Sequence, residues 1–283
     1  MSDNPPKLPH RRRLDHKGNC GRVLILAGSR PFFGAAALAM AGAARGGAGY
    51  VLGGVPASIV SKITPFLPST IVLGQRETST GHLSYTALAD IEELMASCDV
   101  LVVGPGLGKN EGLEALLSEI LERARIPVVL DADALNLVAE APQLIPDTSD
   151  LIFTPHPGEA ARLLKMSVAN IESDRHAALS KLIELQPGVF VLKGAGTLVG
   201  CKGDVYRNST GNPAMAVAGM GDVLSGLIGA LVAQGSAPYD AACQAVWAHG
   251  RAGDLAALEV GHRGVLPMDL VDRIPRALSE LQV

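Results

Sequence analysis

The chain has 283 residues, of which 48% are hydrophobic and only 4% aromatic, with 32 glycines and a net charge of −4. That length suits one large core, and the mildly acidic balance excludes a charge-driven nucleic-acid surface. The four cysteines, Cys20, Cys98, Cys201 and Cys243, are scattered without ligand spacing, which argues against a zinc site or disulfide framework and predicts a reducing, cytoplasmic setting.

The start is polar and proline-rich, with Arg11-Arg12-Arg13 beside Pro5, Pro6 and Pro9. It reads as a solvated, flexible tail over residues 1–15, unlike a signal peptide. No stretch reaches the roughly 18 uninterrupted apolar residues of a membrane span. Val23–Leu26 predicts a first strand, followed by a small-residue helix from about Gly34 to Arg45. Tyr50–Leu52 and Ile71–Leu73 read as further strands. Val100–Val103 and Pro127–Leu130 are continuous apolar runs, as expected of strands buried on both faces, with a crossover helix at Gly112–Arg123 between them. Leu151–Phe153 and Val189–Leu192 complete the central strands, and Thr197–Val199 with Asp204–Tyr206 predicts a hairpin. From about Met215 the chain reads as mostly helical. Strand and helix alternation at this rhythm predicts βαβ units in one layered αβα domain with a mostly parallel sheet. With so few aromatic residues, the core is expected to pack through glycine and alanine. Gly42, Gly46, Gly47 and Gly49 are assigned to close helix–sheet packing, and the alanine-rich helix ending at Arg45 suits either that role or a subunit contact.

Open sheets of this kind bind ligands outside the carboxyl ends of their strands. Polar or glycine-rich loops follow five of the predicted strands: Gly28-Ser29, Gly104–Gly106, Asp131–Asp133, Thr154–His156 and Lys193–Gly196. The strongest motif is Asn208-Ser209-Thr210-Gly211-Asn212-Pro213 followed by Ala218-Gly219-Met220-Gly221-Asp222-Val223-Leu224-Ser225-Gly226. A glycine turn opening into an apolar helix aims the Gly219, Met220 and Gly221 amides, with the helix dipole behind them, at an anion. Asp222 in the first helical turn either complements that dipole or acts as a base; capping alone does not require glycines on both sides of Met220. Gly104–Asn110 fails the phosphate-loop spacing, and Gly28–Gly34 fails the dinucleotide fingerprint.

Gly-x-Gly-Asp at a helix start resembles the anion hole and base of ribokinase-like small-molecule kinases. The longer string through Gly226 resembles one branch, the ADP-dependent NAD(P)H-hydrate dehydratases. His16-Lys17-Gly18, Gly104-Pro105-Gly106-Leu107-Gly108, Asp131–Asn136, Thr154–Glu159 and Lys193–Thr197 agree with that branch in order, over residues 16 to about 254. Ala218 stands where the branch often has glycine and Phe33 where it often has tyrosine; the first substitution is expected to tighten the anion hole slightly. The resemblance implies a three-layer αβα ribokinase-like fold over residues 16–283 as a single catalytic domain. It implies that Lys193, Gly194, Ala195, Gly196 and Thr197, with Gly221, hold a nucleotide, and that Ala35, Gly106, His156 and Asp222 hold hydrated NADH or NADPH. Asp131, Asn136, Glu159, Asn208 and Asn212 are supporting candidates. Asp131 and Asp133 sit one residue apart, suited to magnesium, to a ribose or, for Asp133, to capping the next helix. Glu159 is either a dipole partner or a water-mediated contact to magnesium, and no residue is assigned as a direct metal ligand.

The implied reaction is repair: a poor leaving group, the ring hydroxyl, is phosphorylated at the expense of ADP or ATP with Mg²⁺, and phosphate is eliminated. The nearest alternative is a thiazole-, pyrimidine- or sugar-type kinase on the same fold; a third is a nucleotide sensor, against which the retained Asp222 counts. The resemblance further implies an NAD(P)HX epimerase as functional partner, expected here on a separate chain, and a homo-oligomer, typically a tetramer. No nucleic acid or membrane partner is expected.

Overall fold

The computed structural model describes residues 4–146 and 150–281. Residues 1–3 of the expected tail, residues 147–149 and the last two lie outside the described residues. Among the described residues nine strands form one sheet: β1 Arg22–Leu26, β2 Tyr50–Pro56, β3 Ile71–Gln75, β4 Val100–Val103, β5 Val128–Leu130, β6 Leu151–Phe153, β7 Val189–Leu192, β8 Leu198–Cys201 and β9 Asp204–Arg207. Their spatial order is β3-β2-β1-β4-β5-β6-β7-β8-β9. Strands β1 to β7 pair in parallel, and β8 and β9 close one edge as an antiparallel hairpin. The helices are α1 Phe33–Arg45, α2 Val60–Ile63, α3 Leu88–Met95, α4 Leu113–Arg123, α5 Asp133–Glu140, α6 Pro157–Leu164, α7 Val168–Ser173, α8 Arg175–Leu185, α9 Met220–Ala233, α10 Pro238–Val260 and α11 Pro267–Glu280.

Alternation along the buried strands divides the core into two chemistries. Val23, Ile25, Val100, Val102, Val129, Ile152 and Val191 face α1, α9, α10 and α11. Leu24, Leu26, Leu101, Leu130, Phe153 and Phe190 face α3, α4, α5, α6 and α8, and Phe153 and Phe190 stack with centroids 4.5 Å apart. Short β-branched side chains on the first face let the helices settle close to the sheet. A Cβ built at Gly229 of α9 would lie 2.5 Å from Val102.

The small-residue face of α1 is used inside the chain. A Cβ at Gly42 would come within 2.2 Å of the Val223 carbonyl, and one at Gly226 within 1.9 Å of the Ala39 carbonyl. Gly42 and Gly46 therefore serve helix–helix contact between α1 and α9, a correction to the helix–sheet role expected of them. Gly49 admits the Lys17 carbonyl, and Gly47 adopts φ +93° beside Arg11. Before β1, Gln244 donates to the Lys7 carbonyl at 2.7 Å, Arg11 donates to Gln234 at 2.7 Å, and Leu8 packs against the core. The segment expected to be a solvated tail thus runs along the body over these residues.

Candidate functional site

Because β1 to β7 run parallel, the loops after β1, β4, β5, β6 and β7 all emerge on one edge of the sheet, and the first turn of α9 arrives over that edge. Gly219 precedes α9 with φ +96°, a conformation that glycine adopts at little cost. A left-handed residue there lets the chain turn directly into the helix without a side-chain cap. Gly221 and Asp222, in the first turn of α9, have no preceding carbonyl within the helix to receive their N–H groups. The Met220 N–H is partly used, reaching the Val217 carbonyl at 3.4 Å.

Asp131, directly after β5, is 1% exposed. Its carboxylate accepts from Lys193 Nζ at 2.7 Å, from Thr154 Oγ1 at 2.6 Å and from Ser225 Oγ at 3.0 Å. Lys193 Nζ lies 3.8 Å from Glu159 and 3.3 Å from where a Cβ at Gly221 would stand. Gly221 thus leaves room for an ammonium over the first turn of α9. Burial disfavours that ammonium, but Asp131 and then Glu159 outweigh it and hold the Lys193 pKa above its ordinary value.

Asp222 is half-buried, and desolvation, followed by the Asp131 charge, pushes its carboxyl up from 3.8 to about 7, with Lys193 opposing. Near neutrality such a group accepts and releases protons with equal ease. Burial likewise raises Glu159 to about 7. His156 caps α6: its Nδ1 accepts from Gly158 N–H at 2.9 Å, and its Nε2 lies 3.3 Å from Glu159 Oε1. Burial, then Lys193, lowers the His156 pKa, so the neutral ring carries its proton on Nε2, facing Glu159.

A cavity of about 530 Å³ opens beside this cluster. One wall is Lys193–Thr197, where Gly194 (φ +141°) and Gly196 (φ +62°) curl the backbone and Thr197 Oγ1 closes the loop on the Gly194 carbonyl at 2.9 Å. The cavity is lined as well by 208–213 and by Met220, Gly221 and His249. Glycine-lined walls, a lysine and a helix N-terminus make this cavity suited to a phosphate-bearing ligand.

A family model described as NAD(P)H-hydrate dehydratase, of the carbohydrate-kinase type, matches residues 23–276. The chain belongs to the NAD(P)H-hydrate dehydratase family. A bifunctional NAD(P)H-hydrate repair enzyme from Moorella thermoacetica is 41% identical over 278 residues, covering 98% of this chain and 52% of the relative. An ADP-dependent (S)-NAD(P)H-hydrate dehydratase from Neisseria meningitidis is 39% identical over 258 residues, covering 88% of this chain and 83% of the relative. The chain spans about half the length of the bifunctional relatives it matches. Among solved structures, an ADP/ATP-dependent NAD(P)H-hydrate dehydratase from Bacillus subtilis, co-crystallised with ATP/Mg²⁺, superposes with TM-score 0.82 at 30% identity, covering 99% of this chain and 100% of that one. A hydroxyethylthiazole kinase from Pyrococcus horikoshii, at 16% identity and TM-score 0.66, shares the fold. The ribokinase-like αβα architecture is therefore that of the NAD(P)H-hydrate dehydratase family.

The residues that carry the resemblance fall into two adjoining groups on this dehydratase fold. Lys193–Thr197, Asn208, Asn212, Met220 and Gly221 line the cavity. Ala35 and Gly106 lie outside it, and a Cβ at Gly106 would come within 2.8 Å of the Ala35 methyl; Ser29 Oγ donates to the Gly106 carbonyl at 2.8 Å and locks the two turns together. Asn136 does not line the cavity; it donates to Asp133 at 3.5 Å and accepts from Arg162 at 2.9 Å. Asp133 does not cap α5: its carboxylate accepts the Gly108 N–H at 2.8 Å. Between them Ala132 adopts φ +50°, ψ −116°, a strained conformation for alanine that sends Asp131 and Asp133 to different neighbours. Ala218 is exposed and precedes the first turn of α9.

Four residues of the site were given no role by the sequence. Arg175 donates to the Leu192 and Lys193 carbonyls at 2.9 and 3.2 Å, steadying the lysine loop. Asp254 accepts from Gly211 N–H and from Asn212 Nδ2 at 3.1 and 2.9 Å. His249 Nε2 donates to the Met220 carbonyl at 2.9 Å, and burial depresses its pKa to about 4, keeping the ring neutral. Ser225, three residues beyond Asp222, ties α9 to Asp131; its spacing from Asp222 was the one available hint.

Proposed function

We propose that this chain is a nucleotide-dependent dehydratase that restores hydrated NADH and NADPH, with Asp222 as the base. The observation that carries the reading is the Asp222 carboxyl, poised near neutrality in the first turn of α9 beside a glycine-lined cavity suited to the nucleotide. The ring hydroxyl oxygen attacks the terminal phosphorus as Asp222 takes the hydroxyl proton, and the phosphoanhydride bond breaks to release the shortened nucleotide. The Gly219–Asp222 turn meets the charge that develops on the transferred phosphoryl oxygens, and Lys193 lies beside it. The ring nitrogen lone pair then expels phosphate, and loss of a proton from the adjacent ring carbon restores the dihydropyridine. Ala35, Gly106 and His156 are assigned to the hydrated cofactor, and Lys193–Thr197 with Gly221 to the nucleotide. Asn208 and Asn212 shape the nucleotide wall.

Among the described residues no group of three His, Cys, Asp or Glu side chains is arranged to hold a metal, and the Asp131 carboxylate is already taken by three donors. Magnesium accordingly belongs with the nucleotide phosphates, whose charge it would shield when bound. No helix among the described residues is long and apolar enough to cross a membrane; a cytoplasmic site of action belongs to the proposed reading. An NAD(P)HX epimerase as functional partner and assembly into a tetramer complete the reading.

The test incubates hydrated NADH and NADPH with the protein, Mg²⁺ and either ADP or ATP, following recovery of reduced-nicotinamide absorbance. Nucleotide-dependent recovery that falls roughly 10²–10⁴-fold in Asp222→Ala is the expected result. Formation of a stable phosphorylated product without free phosphate would instead identify a kinase.

A further inference from the structure

Asp131 is bonded to Lys193, which lines the cavity, yet the proposed reaction gives it nothing to do. It is almost fully buried, and its three donors come from three other elements of the fold: Thr154 after β6, Lys193 after β7 and Ser225 in α9. Two of these contacts bear directly on the chemistry. Ser225 stands three residues beyond Asp222 in α9 and gives its hydroxyl proton to Asp131 at 3.0 Å, so the Asp131–Ser225 bond ties down the helix start that presents the base. The Lys193 bond fixes the ammonium over Gly221. We propose that Asp131 is a positioning residue that sets the base and the phosphate-facing lysine in one geometry, touching neither substrate.

The proposal rests on the dehydratase reading and adds a residue whose charge acts at a distance. The groups that bear on Asp222 are Asp131 after β5, Asp133 in α5, Glu159 in α6 and Lys193 after β7; burial apart, Asp131 contributes most to raising its pKa. Neutralising Asp131 therefore makes Asp222 more acidic. It also frees Lys193, whose nearest remaining anion is Glu159 at 3.8 Å. A residue needed only for folding would lower activity equally at every pH.

The experiment compares wild type, Asp131→Asn and Ser225→Ala. In Asp131→Asn the acidic limb of the kcat profile is expected to move down by about one pH unit, the scale of a nearby charge. The KM for nucleotide is expected to rise about tenfold, with little change for the hydrate. Ser225→Ala keeps the charge, so its acidic limb stays in place while kcat falls several-fold. Carboxyl-carbon NMR titration of Asp222 in protein without substrate gives the same shift independently of turnover. An Asp222 midpoint unchanged in Asp131→Asn overturns the electrostatic part, and wild-type kcat in Ser225→Ala overturns the helix tie. If Asp131→Asn does not fold, the Ser225→Ala outcome alone decides. A wild type inactive on the hydrate sinks the dehydratase reading while the NMR titration still judges Asp131.

Discussion

Asp222→Asn is expected to make the protein more stable at neutral and alkaline pH while removing its activity. The Asp222 carboxyl stands at about 7 in the folded chain against its ordinary 3.8, chiefly because burial disfavours its ionised form. Since the folded-state pKa is the higher one, the unfolded chain sheds this proton first as pH rises. The stability linked to the group is intact below about pH 3.8 and is lost as pH climbs through 7. A shift of about three units at ~1.36 kcal/mol each gives a ceiling of ~4 kcal/mol. Asparagine cannot ionise, so it escapes that loss. At roughly 2 °C per kcal/mol for a chain of this size, the variant should melt up to ~8 °C higher at pH 8.5 and about equally at pH 4. Thermal unfolding of both proteins across that range checks it. A difference that does not grow with pH, or that favours the wild type at pH 8.5, would show that the site does not hold Asp222 against its charged form.

His249 acts in the opposite direction. Its folded pKa of about 4 lies below the ordinary 6.5, so its contribution is present above pH 6.5 and is lost as pH falls toward 4. His249→Gln should remove that dependence, flattening the acid side of the melting-temperature curve by about 3 kcal/mol in total; an equally steep fall would mean the ring is not buried neutral. At the helix seam, Gly226→Ala should destabilise by about 1–3 kcal/mol or more in denaturant unfolding, since its Cβ would meet the Ala39 carbonyl at 1.9 Å. Gly34→Ala, with nothing within 4 Å, should be neutral or slightly stabilising, and equal losses at both positions would refute the packing argument.

The parallel strands were legible because runs such as Val100–Val103 are apolar at every position, and both faces of that strand are buried. The site's outline was legible for a related reason: most of the strands that lead into it are followed by glycine or a charged residue that a buried strand cannot carry. What the sequence hid were relations across the fold. Gly42 looked like a helix–sheet spacer because nothing local says which neighbour it approaches. Asp131 and Asp133 looked like a pair because alternation was assumed, whereas the turn at Ala132 separates them. Asp254 and Arg175 hold the loops around the cavity from 42 and 18 residues away, and no local periodicity encodes such reach.

The seam between α1 and α9 has a mechanical consequence. Where carbonyls of one helix sit against the glycines of the other, there is no side chain between the two rods to flex or slide. The end of α1 that carries Ala35 and the end of α9 that carries Asp222 must then move, if at all, as a single casting. On the hairpin side the lysine loop and 208–213 are joined instead by hydrogen bonds, such as that from the Asn208 N–H to the Thr197 carbonyl at 2.9 Å. The α1–α9 seam is thus the fixed edge against which the first turn of α9 and the start of α1 are set.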